Sequence, residues 1–584
     1  MKQQLQALLQ QSIHALIEQG QLPSDLTIDP QVERARQQQH GDFASNVALV
    51  LAKTVQRNPR ELAQLIIDQL PTAPQVTQVT LAGPGFINFT LSNATKYDVI
   101  QQVLTQPNYG QATIGQDKRV LLEYVSANPT GPLHVGHGRS AAYGASLANL
   151  LQAAGYQVER EYYVNDAGRQ MQILAVSIWL RYLALLGEDI TFPNRGYRGN
   201  YVVDIAQQLI DQYQQRFHCA TQTVLAGLPT DGEGEAAEAH IDALIEHARQ
   251  QLGDAHYHLI FQAGLNTLCE DIREDLAEFG VVYDTWFHEQ TLIDADQVTQ
   301  AIDQLIATDH TYRKDGALWF NATTFGDEKD RVLIRANGQT TYFASDVAYH
   351  WHKLQRHYDL IIDIFGADHH GYVPRLQAVM NALQAPVNIL TVKLVQFAIL
   401  YRGQQKVSMS TRSGEFVTLR QLRQEVGSDA ARFFYVMRKA EQHMDFDLEL
   451  AKSQSNDNPM YYIQYAHARI CSVFRQLAAQ QLSWNRSEGF EYLSQLTTEH
   501  EATLIQHLAR YPEVIVTASE QLEPHQVAHF LRDCAQAFHT YYNAEQFITS
   551  DVTLRNARLN LIAAVKQVLA HGLQLLGVHA PEQM

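Results

Sequence analysis

From Val120 to Val164 the chain reads as strand, loop, helix and strand, and that order constrains it more than any other feature. Val120-Leu-Leu-Glu-Tyr-Val125 is a short apolar run of the kind buried on both faces of a parallel sheet. Asn128-Pro-Thr-Gly-Pro-Leu-His-Val-Gly-His137 follows as a Pro/Gly loop, and the residues up to Ala154 read as a helix stopped at Gly155. Gln157-Val-Glu-Arg-Glu-Tyr-Tyr-Val164 is the next strand. Such a unit implies a parallel pair joined by a right-handed crossover. Its ligand belongs at the C-terminal end of the first strand, where the loop holding His134, Gly136 and His137 lies. Free N–H groups and the helix dipole converge on an anion there. Two imidazoles in the same place point to a polyphosphate whose charge moves during reaction, as in nucleotidyl transfer from ATP.

At 584 residues the chain is too long for one core, so roughly three or four domains are expected. Residues 1–115 read as an α+β module. It opens on a helix patterned by Leu5, Leu8, Leu9, Ile13, Leu16 and Ile17. A second helix starts at Pro59 and stops before Pro71, and Val76 to Leu91 reads as two strands about a Gly83-Pro84-Gly85 turn. Residues 116–425 carry the strand–helix alternation, with an insertion over about 181–275 that includes a polar, Gly-rich loop at Gly227 to Glu235. Strand patterns return at Val332–Arg335, Asp359–Phe365 and Val387–Val392. From about Gly427 every segment reads as helix, giving an all-α region over 426–584.

Several classes of protein are disfavoured. No apolar run approaches the ~18 residues of a membrane helix, and Met1-Lys-Gln-Gln-Leu-Gln lacks the pattern of a signal peptide. A cytoplasmic protein with no membrane partner is expected. Cys219, Cys269, Cys471 and Cys534 form no CxxC pair, so neither zinc nor a disulfide framework is expected. The net charge of −18 argues only weakly against a nucleic-acid partner, because it averages over domains.

Several ordered blocks resemble class I aminoacyl-tRNA synthetases, and among them the arginyl-tRNA synthetase family. Glu123 to Arg139 is similar to the family's nucleotide-binding signature, and Tyr162-Tyr-Val-Asn-Asp-Ala-Gly-Arg-Gln170 to the block after it. Gly414 to Leu419 resembles the segment after the second signature loop. Ser428 to Phe433 and Asn458 to Arg469 resemble the helical anticodon-binding domain. Gly41 to Ala48 and Gly83 to Phe89 resemble the family's additional N-terminal domain. The resemblance implies a multidomain α/β protein: a Rossmann-like parallel-sheet catalytic domain with an insertion, an α+β N-terminal domain contacting tRNA, and an all-α anticodon-binding domain. It implies L-arginine, Mg²⁺-bound ATP and tRNA(Arg) as substrates, an arginyl-adenylate intermediate, activation that requires tRNA, no prosthetic group, and a monomer.

The resemblance also distributes roles. His134 and His137 would bind the ATP phosphates. Gly136 would let adenine approach the backbone, and Gly366 would open a nucleoside-side loop at Asp368-His369-His370. That run superficially looks like a metal triad, but adjacent histidines rarely hold one ion. Glu123 and Asp346 would take the planar guanidinium, with Tyr342 lining the pocket, Asn128 at the α-amino end and His369 where relatives often carry glutamine. On spacing alone Asp346 could instead cap the helix that follows it. The second signature loop departs from the family pattern, since Ser408-Met-Ser-Thr-Arg412 lacks both usual lysines. The position of a compensating lysine before the HxGH block is Gly131. Lys406 and Arg412 remain as cations for the leaving pyrophosphate, with Met409 and Ser410 on the ATP. RNA contacts are assigned to Arg432, Arg438, Tyr461 and Arg469, with Lys439, Arg475, Arg555, Arg558 and Lys566 as further basic positions. Another class I synthetase, an inactive paralogue that binds tRNA or arginine, and a small-molecule adenylyltransferase are the competing readings.

Overall fold

The computed structural model describes residues 1–35, 40–407 and 417–584, and the chain forms two compact units. The first comprises Met1–Tyr109, Ser472–Arg510 and Ala537–Val568. In it, helices Lys2–Glu18, Val47–Val55 and Pro59–Asp68 accompany an antiparallel sheet ordered Val32–Arg34, Phe43–Ser45, Phe86–Leu91, Val76–Ala82. The Asn58 side chain accepts from Arg60 N and Pro59 opens the helix, so the first orphan N–H groups are capped or absent. Leu5, Leu9, Ile13 and Leu16 share one core with Leu62, Ile66, Ile87 and Phe89. The expected helix periodicity and the turn before Phe86 are both present.

The helical part of this unit corrects the reading of Arg555 and Arg558. Both are buried. Arg558 donates to Glu501 at 3.1 Å and to Glu545 at 2.7 Å, and Arg555 donates to the Thr549 carbonyl at 2.8 Å. Side chains committed to internal acceptors are not available for phosphate.

The second unit comprises Gly110–Cys471, Tyr511–Gln536 and Leu569–Met584. Its centre is a five-stranded, all-parallel sheet of β1 (Arg119–Glu123), β2 (Gln157–Val164), β3 (Thr285–His288), β4 (Leu360–Gly366) and β5 (Leu390–Val395). The spatial order is 5-4-1-2-3. The chain therefore leaves β1 in one direction through β2 and β3, then returns to its other side for β4 and β5. This reversal is a topological switch point, and a crevice opens outside the C-terminal ends of β1 and β4. Helix α1 (Val135–Ala153) joins β1 to β2, and helix α2 (Tyr342–Gln355) precedes β4.

The strand expected at Val332–Arg335 is present as Arg331–Ile334, which pairs antiparallel with Ala317–Phe320 in a separate three-stranded sheet. One expectation needs revising: the chain after Gly427 is not wholly helical, because Met444–Asp447 pairs in parallel with Ala398–Arg402. Met444 and Phe446 are buried while Asp445 between them is exposed. The period of two is there, but four residues are too few to outweigh the helices around them.

Candidate active site

The strand β1 delivers the first part of the site, and a strained turn follows it. Val125 and Ser126 both have positive φ, 68° and 41°. For a β-branched residue this is an outlier that neighbouring bonds must enforce. Ser126 N donates back to Tyr124 O at 3.0 Å. The Ser126 hydroxyl donates to Glu123 Oε1 at 2.9 Å and accepts from Tyr163 N at 3.1 Å. The turn thus ties the β1 carboxylate to the end of β2. Asn128 is exposed and donates to Gln170 at 2.8 Å, joining the two neighbouring sequence blocks.

His134 is the N-cap of α1, and its Nδ1 accepts from Gly136 N at 3.1 Å. His137 Nδ1 accepts from His134 N at 3.3 Å, and the rings stack with centroids 3.7 Å apart. A neutral imidazole that accepts at Nδ1 carries its proton at Nε2, so each ring presents an N–H donor. Burial lowers both imidazoles below their ordinary range, His137 to about 3 with His134 adding to the effect. These groups are neutral donors and not cations. A Cβ on Gly136 would lie 2.8 Å from His134 Cε1, so the missing side chain makes room for the His134 ring itself. At Gly131 a Cβ would lie 3.1 Å from the Tyr201 hydroxyl, which donates to Thr130 O at 2.7 Å. The direction a compensating lysine would take is filled by a residue of the insertion.

The second part of the site hangs from α2 and β3. Helix α2 begins at Tyr342 with Thr341 as N-cap, so Asp346 is a second-turn residue and not the cap. The spacing of four places Tyr342 and Asp346 on one face. Tyr342 is 57% exposed and Asp346 half-buried. Burial, with Glu289 and Glu123 adding repulsion against the help of His350 and Arg375, pushes the Asp346 carboxyl up to about 7. Sequence reading did not single out Glu289. It is buried at the first position of the short helix after β3, with the hydroxyls of Ser345 and Tyr163 against it, and burial raises it too. An acidic residue just past a parallel strand was the available signal. Asp346 and Glu289, with Glu123 close enough to repel Asp346, make a group of carboxyls that favours a cation.

Glu123 differs from the other two. Its Oε2 accepts from Lys353 at 2.5 Å, and Lys353, 0% exposed, also donates to Asp363 at 2.7 Å. His350 Nε2 lies 3.0 Å from the other Asp363 oxygen. Burial alone would lower the Lys353 ammonium, but Asp363 and Glu123 raise it. Lys353 is a second residue that sequence reading missed.

The remaining candidates separate. His369 lies in the turn Ala367–Tyr372 with its side chain exposed, 3.5 Å from Asp368. A Cβ on Gly366 would lie 2.5 Å from Asp368 Oδ1, so this glycine admits the Asp368 carboxylate. Lys406 is exposed on the two-residue strand Gln405–Lys406. Met409, Ser410 and Arg412 lie outside the described residues. Arg438 is exposed, but Arg432 is not an RNA contact. It is 1% exposed and donates to the carbonyls of Leu576, Phe279 and Gly280 at 3.0–3.1 Å. On helix Pro459–Ala479, Tyr461 stacks with Tyr465 at 5.9 Å, and Arg469 lies 4.5 Å over the Tyr465 ring. The spacing of four builds this half-buried stripe. Among the described residues, no helix is long and apolar enough to cross a membrane.

Residues 3–91 match the family described as Arginyl tRNA synthetase N terminal domain. Residues 99–183 and 266–454 match tRNA synthetases class I (R), catalytic domain, and residues 463–584 match the DALR anticodon binding domain. The arginine–tRNA ligase of Thioalkalivibrio sulfidiphilus is 57% identical over 586 residues, and that of Legionella pneumophila strain Corby 54% identical; both alignments cover all of both chains. The solved arginyl-tRNA synthetase of Thermus thermophilus superposes with a TM-score of 0.74 at 22% identity over all of both chains. That of Plasmodium falciparum gives 0.70 at 17% over all of this chain and 99% of the other. At those identities the two structures speak for the fold alone. Matched in all three parts and aligned end to end with its relatives, the chain belongs to the arginyl-tRNA synthetase family.

Proposed function

We propose that this protein ligates L-arginine to tRNA(Arg) with Mg²⁺-bound ATP as the second substrate. The arginine carboxylate attacks the α-phosphate, forming arginyl-adenylate and releasing pyrophosphate. The terminal 2′-hydroxyl of the tRNA then attacks the acyl carbon, and AMP leaves. The observation that carries this reading is the end-to-end match to arginine–tRNA ligases, with Glu123, Glu289 and Asp346 set near a loop whose His134 and His137 accept at Nδ1. A guanidinium relieves the carboxyl repulsion on one side. The His134 and His137 Nε2–H groups follow the phosphate on the other, where positioning and electrostatics matter more than a covalent nucleophile.

In this reading Tyr342 covers the guanidinium, Asn128 and His369 hold the amino-acid end, and Gly136 and Gly366 border the nucleoside. Neutral imidazoles leave the pyrophosphate charge to Lys406 and Arg412, with Met409 and Ser410 as further ATP-binding residues. Arg438, Tyr461 and Arg469 meet the tRNA. The working division is 1–115 for tRNA contact, 116–425 for chemistry with an insertion at about 181–275, and 426–584 for the anticodon, in a cytoplasmic monomer. The test is pyrophosphate exchange and tRNA charging with each of the twenty amino acids. Arginine alone should support both when tRNA(Arg) is present. Charging with a different amino acid, or none at high enzyme concentration, would sink the proposal.

A further inference from the structure

Two carboxylates at the switch point are neighbours across the sheet. Asp363 on β4 is the register partner of Glu123 on β1, so both side chains leave the same face. Neither is in water, since Asp363 is fully buried and Glu123 is 5% exposed. Like charges side by side in a protein interior repel strongly, and Lys353 stands between these two. Asp346, His350 and Lys353 recur at i, i+4 and i+7 on one face of α2. The contacts of His350 and Lys353 put that face over the two strands.

The Lys353 ammonium has no donor to spare. It donates to Glu123 Oε2 at 2.5 Å and to Asp363 Oδ1 at 2.7 Å, and it lies 4.2 Å from the centroid of the Tyr349 ring. Asp363 is fixed in turn by His350, whose Nε2 lies 3.0 Å from Oδ2 and whose Nδ1 donates to the Asp346 carbonyl at 2.8 Å. Burial alone would raise the Asp363 carboxyl, but Lys353 and His350 hold it below the usual carboxylate range. A chain of buried contacts thus runs from the Glu123 carboxylate to the backbone of Asp346, the two acidic residues assigned to the guanidinium.

Glu123 is held at both oxygens. Ser126 donates to Oε1 at 2.9 Å while Lys353 donates to Oε2. Each carboxylate oxygen has room for a further donor, and the direction of that room is set before a ligand arrives. Stability is a weak reason for such an arrangement, because a buried ion pair is often no better than a well-packed apolar pair of the same volume. Fixed direction matters where a planar, forked cation is to be met.

We propose that Lys353 is a positioning residue for arginine: through Oε2 it keeps the Glu123 carboxylate charged and aimed at the guanidinium, without touching the substrate itself. The proposal rests on the arginine reading of this pocket and adds the group that prepares it.

The experiment is pyrophosphate exchange by the full chain with tRNA(Arg), comparing wild type with Lys353→Met, Glu123→Gln and the double variant. Lys353→Met should raise the arginine KM about tenfold, while the ATP KM and kcat stay within about twofold. Because Lys353 acts through Glu123, adding Lys353→Met to Glu123→Gln should raise the arginine KM by no more than about twofold further. Lys353→Arg retains a cation and should stay closer to wild type than Lys353→Met does. Melting curves accompany every form. Should Lys353→Met alone not fold, the double variant, which leaves no charge at Glu123 to compensate, is compared with Glu123→Gln and decides the matter. Losses that add in the double variant, or equal rises in the arginine and ATP KM, make Lys353 a structural residue and overturn the assignment. An unaltered arginine KM in folded Lys353→Met refutes this inference alone. Absence of wild-type exchange refutes the function, and this inference with it.

Discussion

In the proposed reading, the phosphate side and the arginine side of the site solve opposite electrostatic problems with opposite means. On the phosphate side, His134 and His137 are held neutral by burial, and backbone N–H groups occupy their Nδ1 atoms. His137 does not change charge near neutral pH, and the donors are set before the substrate arrives. On the other side, burial first and neighbouring carboxylates second raise Asp346 and Glu289, and a cationic ligand offsets both. Preorganised neutral donors serve a charge that develops in the transition state. Stored repulsion serves a charge already present on the ground-state substrate, and so sets selectivity and affinity more than rate. The contrast predicts that variants on the two sides will separate KM from kcat.

The largest effect should come from Asp346→Ala. Removing one partner of a buried charge pair costs of the order of 3–5 kcal/mol, so the arginine KM should rise at least a hundredfold while the ATP KM moves little. Steady-state pyrophosphate exchange with tRNA(Arg) measures both. Comparable rises for the two substrates would make Asp346 a structural residue and erase the distinction between the two sides.

The converse experiment is His137→Ala. Loss of one preorganised donor typically costs on the order of a hundredfold in kcat, with the arginine KM unchanged. Because His137 also accepts from the N-cap backbone, a melting curve must accompany the kinetics. His137→Asn can supply an N–H donor and should recover part of the rate. A variant that loses arginine affinity in place of turnover would show that the loop positions the amino acid.

A pH series sharpens the comparison without large perturbation. With its carboxyl pushed up to about 7 by burial, then by Glu289 and Glu123, Asp346 is protonated below that pH and ionised above it. A guanidinium binds the ionised form. The arginine KM should therefore fall by about tenfold between pH 6 and 8, accompanied by proton release on binding. Glu289→Gln removes a repulsive neighbour and should shift that change to lower pH. For stability the sign is the reverse. The folded state holds this proton where the unfolded chain has lost it, so Asp346 weakens the folded protein as pH rises from the ordinary carboxylate range to about 7. Asp346→Asn should accordingly raise the melting temperature more at pH 8 than at pH 5. His137, at about 3, predicts no titration of kcat from that ring over the same range. A flat arginine KM across pH 6–8 would contradict the stored-repulsion account.

What could be read from sequence follows the same division. The phosphate side is local: the strand, loop, capping residue and both histidines fall within about 35 consecutive residues, and period and turn chemistry are strong over such a span. Its neutral state was not legible, because burial of an imidazole depends on packing. The arginine side is assembled from Glu123, Glu289 and Asp346, far apart in the chain, with Lys353 beneath them. Glu289 looks like any acidic residue at a helix start. Lys353 looks like a solvated helix residue until Glu123 and Asp363 are known to face it. Arg432, Arg555 and Arg558 were misread for the same reason: a basic residue on an amphipathic helix is indistinguishable from a surface cation when its acceptors, such as Leu576 O or Glu501, lie elsewhere in the chain. Local geometry is written in neighbours, and the charge state of a buried group is written in partners that one sequence does not align.

The smallest effect tests that lesson on the RNA side. Arg469 and Arg432 were read alike, yet Arg469 completes the partly exposed stripe with Tyr461 and Tyr465, whereas Arg432 is bonded to three internal carbonyls. Arg469→Ala should raise the tRNA KM in charging assays a few-fold, with a shallower salt dependence if the guanidinium meets a phosphate. Tyr461→Phe keeps the stacking face and should leave it nearly unchanged. Arg432→Lys should lower the melting temperature, because an ammonium cannot reproduce the planar fork that reaches three carbonyls, and tRNA affinity at a temperature where the variant is folded should equal the wild type. If Arg469→Ala is silent and Arg432→Lys weakens tRNA binding in the folded state, burial is the wrong criterion for separating structural from RNA-facing arginines in this helical region.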